Sequence, residues 1–162
     1  MVLFATDDQG RLVDTSTAYV MTEVEKAELE QKLVDTGVVR PNVVGTRMGL
    51  LKSSAVVPRH RGQGIGLRMV IERLARLQRL GCAAAVVLAW DSGGRHSSLG
   101  VLEAAGFQRV AELPEYWREP EGAETFDCVK CEGPCECTAI VIRRSLYDFT
   151  PEETVAELSH TR

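Results

Sequence analysis

The spacing of apolar positions changes period several times along the chain. Residues 2–6 and 12–21 are rich in Val, Thr, Phe and Tyr and flank the turn-forming group Asp7-Asp8-Gln9-Gly10, which predicts a β-hairpin. Thr22, with Glu25 three residues on, forms a capping box and predicts a helix over 22–35, with Gly37 as its left-handed stop. Residues 41–49 read as loop and 50–57 as a strand ended by Pro58. Over 67–80, Leu67, Val70, Ile71, Leu74 and Leu77 recur at helical spacing, with Arg68, Arg73, Arg76 and Arg79 on the opposite side. Gly81 ends that helix. Residues 83–90 are short and uniformly apolar, as in a strand buried on both faces.

A shorter helix over 98–105 follows, stopped by Gly106, and then a strand over 107–113. Residues 115–137 are polar and cysteine-dense without periodicity, the mark of an insertion, and 138–143 return to strand character. Thr150-Pro151-Glu152-Glu153 opens a short terminal helix. Strands interleaved with helices over one core predict an α/β (α+β) domain across 1–149, with a tail at 150–162.

Composition narrows the function classes. With 162 residues, 44% hydrophobic and 26% charged, the chain suits one globular unit. Its formal net charge of -4 argues against a nucleic-acid binder. The longest apolar run, 82–90, is far short of the roughly 20 residues of a membrane helix, and the acidic N-terminus does not resemble a signal peptide. A cytoplasmic protein with no membrane partner is the expectation.

The sharpest local feature is Val56-Val57-Pro58-Arg59-His60-Arg61-Gly62-Gln63-Gly64-Ile65-Gly66, where a strand runs through three glycines into a helix. Such a junction presents main-chain NH groups, and the helix dipole favours an anion there. It is neither the dinucleotide fingerprint nor a P-loop, and a turn with only a packing role is the bland alternative.

Arg61-x-x-Gly64-x-Gly66, preceded by Val56 and Val57, resembles motif A of the GNAT N-acetyltransferases. The apolar strand 83–90, the helix after it and Ala105-Gly106-Phe107 resemble the segment that follows in that family. The likeness covers about residues 50–113, with 138–143 as a last strand. It implies a mixed, splayed central sheet flanked by helices, acyl-CoA N-acyltransferase-like, with acetyl-CoA between the strand before the loop and the strand after the helix. Carried over, Val56 and Val57 would offer backbone hydrogen bonds to the pantetheine arm. The amides of Gly62, Gln63, Gly64, Ile65, Gly66 and Leu67 would bind the pyrophosphate, and Arg61 would fix the loop.

Acetyl transfer to an amine needs a deprotonated nitrogen and a proton for the leaving thiolate. The family often places a tyrosine four residues before the glycine of its Gly-Phe pair, where this chain has Leu102. Tyr116, His96 and Asp91 are the candidate replacements, each with an ordinary structural alternative in strand-end packing or turn chemistry.

The family's early acceptor-side helices have no counterpart ahead of the hairpin. The helix over 22–35 could supply that wall from another place, or a homodimer partner could close it. The acceptor, small molecule or protein, is left open. A non-catalytic acyl-CoA sensor is the competing reading.

Cys128-x-x-Cys131-x-x-x-Cys135-x-Cys137 places four thiols within ten residues, with Gly133 and Pro134 to turn the chain. Four thiolates satisfy tetrahedral zinc in a closed structural site, with an iron–sulfur or redox site as the alternative. The surrounding Glu119, Glu121, Glu124, Asp127, Glu132 and Glu136 weigh against a nucleic-acid-binding zinc module. Cys82, alone before an apolar strand, reads as a buried small hydrophobe.

Overall fold

The structure, a computed structural model, describes residues 1–37, 47–90, 98–118, 128 and 130–151. Six strands form one mixed sheet in the order β1-β2-β3-β4-β6-β5. They are β1 (Val2–Thr6), β2 (Leu12–Val20), β3 (Met48–Val56), β4 (Ala84–Trp90), β5 (Gln108–Leu113) and β6 (Ala139–Ser145). Three helices accompany them: α1 (Glu23–Asp35), α2 (Ile65–Arg79) and α3 (Ser98–Ala104). Of the loop expected over 41–49, residues 41–46 lie outside the described residues and Met48 and Gly49 belong to β3; the segment holding Asp91 and His96 and the terminal helix beyond Pro151 also lie outside them.

Period-2 alternation divides the core. From β4, Ala85, Val87 and Ala89 join Val70, Leu74, Leu77 and Leu102 in the core beneath α2 and α3. Ala84 and Val86 face the other way, packing with Leu29 and Leu33 of α1, with Met48 and with Val141. The central strand is therefore covered on both faces, as its unbroken apolar run requires. Helix α1 is held at its start by the capping box. Thr22 accepts from the Glu25 amide, and the Glu25 carboxylate accepts from the Thr22 amide at 2.8 Å.

Helix α1 enters after β2 and lies on the face opposite α2. Its Lys32 ammonium stands 4.6 Å from the Tyr116 ring centroid, so α1 reaches the region beyond β5.

The sheet parts at its centre. β3 and β4 run parallel and pair only at Met48, Gly49 and Leu50, although β3 continues to Val56 and β4 to Trp90. A bulge explains the divergence. Thr17 pairs with Ser53 but Ala18 pairs with Leu51, so Lys52 is an extra residue that bends β3.

Arg73 fixes the bend. Helical spacing predicts it on the polar side of α2, yet it is only 2% exposed. Its Nη1 donates to the Thr17 and Ser53 carbonyls at 3.3 and 3.1 Å, and its Nε donates to the Met69 carbonyl at 3.1 Å. A buried guanidinium supplies donors that the disturbed ladder cannot. Its burial lowers its pKa to about 10, against the opposing field of the Asp14 carboxylate.

Candidate functional site

The gap between the parted strands opens into a cleft of about 1150 Å³. One wall is β3 from Leu50 to Val56, and the other is Val87, Leu88, Ala89 and Trp90 of β4. The β3–α2 junction closes one end through His60, Arg61, Gly62 and Gly64. Gly100, Val101 and Leu102 of α3 form part of the lining.

The junction is built to expose amides. Pro58–His60 makes a single 3₁₀ turn, after which Gly62 and Gly64 take φ of 74° and 76°. These left-handed values favour residues without a Cβ atom. Gly64 is the N-cap of α2, and the first bond spanning that cap runs from the Arg68 amide to the Gly64 carbonyl. The amides of residues 65–67 therefore precede the helical ladder, and no described residue accepts from the amides of residues 62–64. Six consecutive NH groups are available at the positive end of a helix dipole, which suits a diphosphate.

Side chains tether this row. Arg61 Nε donates to the Val56 carbonyl at 3.2 Å, and Gln63 Nε2 donates to the Arg59 carbonyl at 3.4 Å. Val56 lies on the cleft wall, but Val57 does not fit its expected role. Its amide donates to the Val13 carbonyl, its carbonyl accepts from the His60 amide, and it is absent from the cleft lining. Alternation explains this, because successive residues of β3 turn their main-chain groups to β2 and to the gap in turn.

Aromatic side chains gather too, with Tyr19 beside Leu50 at the end of β3 away from the junction. Of the chain's five Trp and Tyr residues, Tyr19, Trp90, Tyr116 and Trp117 line the cleft. Tyr116 sits in a turn whose preceding residue, Glu115, has φ of 51°, a sparsely populated conformation that re-aims the chain after β5. Trp117 meets the Tyr116 ring edge-on, with centroids 5.3 Å apart.

The two phenols differ. Tyr19 donates to the Glu25 carboxylate at 2.8 Å, and burial together with that bond pushes its pKa up to about 12. Tyr116 is raised by burial and then by the charge of Glu28, and among the described residues no carboxylate holds its proton. Tyr19, Trp90 and Trp117 escaped the sequence reading because their spacing is that of ordinary strand or turn residues. Leu102 is buried at 4% exposure. Asp91 and His96 lie outside the described residues.

Cys128, Cys131, Cys135 and Cys137 come together, with all four sulfurs within 4.8 Å of one another. Cys128 and Cys131 each lie near Cys137, at 3.7 and 3.6 Å between sulfurs. Tetrahedral coordination at about 2.3 Å from each thiolate would separate the sulfurs by about 3.8 Å, so the arrangement fits one ion. Main-chain NH groups of Lys130, then Cys131, lower the Cys128 thiol to about 7. Cys82 is buried in the α2-side core, and burial raises its thiol.

The model of the Acetyltransferase (GNAT) family matches residues 4–107, well over half of the chain. The protein belongs to the GNAT acetyltransferase family. Solved GNAT structures share its fold. Chaetomium thermophilum Naa20, in complex with a bisubstrate analogue, is 11% identical, with 98% of this chain and 70% of that chain covered and a TM-score of 0.61.

The ribosomal-protein-S18-alanine N-acetyltransferase from Escherichia coli is 14% identical, with 93% and 71% covered and a TM-score of 0.57. A phosphinothricin acetyltransferase from Sinorhizobium meliloti, in complex with AcCoA, is 19% identical, with 92% and 62% covered and a TM-score of 0.56. No curated protein matches the sequence. As a GNAT protein the chain is an acyltransferase, and no helix among its described residues is long and apolar enough to cross a membrane.

Gly66 gives the amide row a specific test. A Cβ there would project between Val56 Cγ2 at 3.6 Å and Val101 Cγ1 at 4.0 Å, both ordinary contacts on the cleft walls. Gly66→Ala should preserve or slightly raise stability, since alanine favours a helix over glycine by about 1 kcal/mol. It should weaken CoA binding by roughly tenfold, about 1.4 kcal/mol, as measured by calorimetry beside thermal melts.

Proposed function

We propose that this GNAT protein transfers the acetyl group of acetyl-CoA to an amine, with Tyr116 returning a proton to the departing thiolate. The row of six available amides at residues 62–67, at the end of a cleft between parted strands, carries this reading. Those amides would hold the diphosphate, Arg61 would keep the row in place, and the edge of β3 around Val56 would guide the pantetheine arm.

The parting of β3 from β4 leaves room for the thioester to meet an amine arriving from the aromatic end. The nitrogen lone pair attacks the carbonyl carbon, and the carbon–sulfur bond then breaks. Water takes the proton lost by nitrogen, and the thiolate takes one from Tyr116. A phenol is protonated at neutral pH and so has a proton to give, whereas Leu102 cannot supply one. His96 and Asp91 are the other candidates for the acid. The acceptor is an amine on a small molecule or a protein.

Thiol release from acetyl-CoA across a panel of amines tests this reading. Tyr116→Phe should lower kcat by about 100-fold or more while leaving CoA affinity unchanged. Because the Tyr116 pKa is raised, loss of the acid form should set in only above the ordinary tyrosine range, so wild-type activity should persist through mildly alkaline pH. Tight CoA binding without turnover on any amine would favour the sensor reading instead.

We further assign a structural zinc ion to Cys128, Cys131, Cys135 and Cys137, in a protein working in the reducing cytoplasm. The sulfur spacing supports a single ion, and four thiolates leave no coordination position for water. Protein purified without added metal should contain about one zinc per chain by elemental analysis. An iron-rich, coloured sample would overturn the assignment.

A further inference from the structure

The segment that carries the cysteines leaves and rejoins the sheet at one place. Leu113 at the end of β5 pairs with Ala139 at the start of β6, so residues 114–138 form an excursion with adjacent feet. Its outgoing leg is fixed by packing. Tyr116 and Trp117 lie against the α1-side core, with the Lys32 ammonium over the Tyr116 ring.

Among its described returning residues, 128 and 130–138, none belongs to either core cluster. Among the described residues from 128 to 138 there is no helix or strand. Cys135 and Cys137, at 4% and 7% exposure, are its most deeply buried side chains.

The sulfur cluster also stands between two hollows. Cys128 and Cys135 line the transferase cleft, and the leg joins β6 at Ala139, which pairs with both Trp90 and Leu113, three residues before Tyr116. Cys131 and Cys137 line a second depression of about 650 Å³, with Glu112, Thr138 and Ile140. The cluster is thus a partition, and one of its sides is the aromatic end of the cleft.

We propose that the metal held by the four cysteines builds the acceptor wall of the cleft, so that metal loading governs the aromatic end without affecting CoA capture. This rests on the acetyltransferase and zinc readings above. Four short side chains on a leg without described helix or strand would be joined by one ion, which supplies folding free energy locally. The diphosphate-facing junction has independent supports. It is tied to β2 through Val57, to β3 through Arg61 and to itself through Gln63.

Trp117 reports on the wall directly. The chain has two tryptophans, so Trp90→Phe leaves Trp117 as the only one, read by selective tryptophan excitation. The full-length Trp90→Phe protein, kept reduced, is compared before and after chelation by acrylamide quenching, with metal content measured for both forms. Wild-type protein in the same two states is titrated with CoA by calorimetry. Chelation should remove one metal per chain, raise Trp117 quenching by about twofold or more and leave the CoA Kd within about twofold, and added zinc should reverse the change.

Metal that leaves without altering Trp117 quenching would overturn the proposal. A collapse of CoA affinity on chelation would overturn it too, because the metal would then support the whole domain. Absence of metal from the purified protein would refute the zinc reading and this proposal with it. Failure of both metal-loaded and chelated protein to bind CoA would count against the transferase reading alone, and the quenching result would still decide the role of the metal.

Discussion

The structure depends on the separation of two parallel strands. β3 and β4 share three paired positions and then diverge, and every other feature of the site is arranged around the gap. An open ladder exposes main-chain groups that would ordinarily be paired, which is costly unless something occupies or bridges them. The chain bends β3 with one extra residue, Lys52, and Arg73 secures the bend by bonding to the carbonyls of Thr17 and Ser53. A charged side chain is thereby buried in the middle of an otherwise apolar helix face. Its lowered pKa records the cost of that burial.

The elements around the gap divide the work. α2 starts where β3 ends, so its first amides face the open end of the cleft, and Gly62 and Gly64 turn the chain without a Cβ in the way. α1 enters after β2, crosses to the opposite face and braces the turn after β5 through Leu29, Leu33 and Lys32. The glycine junction and the turn holding Tyr116 are thus supported by different helices, which lets one change without rebuilding the other.

Much of this was legible in the residues. The capping box of Thr22 and Glu25, the apolar stripe of α2 and the two-sided burial of β4 follow from spacing alone, and each forms as expected. The glycine junction and the four-cysteine cluster were equally visible, since both use residue types whose chemistry is tied to short spacing.

What escaped detection depends on partners distant in sequence. β3 begins at Met48 because Met48 and Gly49 pair with Ala84 and Ala85 across the sheet, although Gly49 alone suggests loop. β6 runs on to Ser145 because Arg143 and Arg144 sit opposite Val86 and Ala85. Arg73 was indistinguishable from its exposed neighbours until the bulge supplied carbonyls for it. Val57 appeared equivalent to Val56, but its amide is bonded to the Val13 carbonyl and its carbonyl to the His60 amide. Tyr19 and Trp117 carry no local signal, because only the folded sheet brings them to one cleft.

The most direct measurement is an amide-resolved NMR titration of ¹⁵N-labelled protein with CoA. The largest shifts should fall on the amides of residues 62–67, with smaller ones along β3 near Val56, since those NH groups would exchange water for phosphate oxygens. Binding that leaves these six signals in place while perturbing others would contradict a diphosphate site at the start of α2.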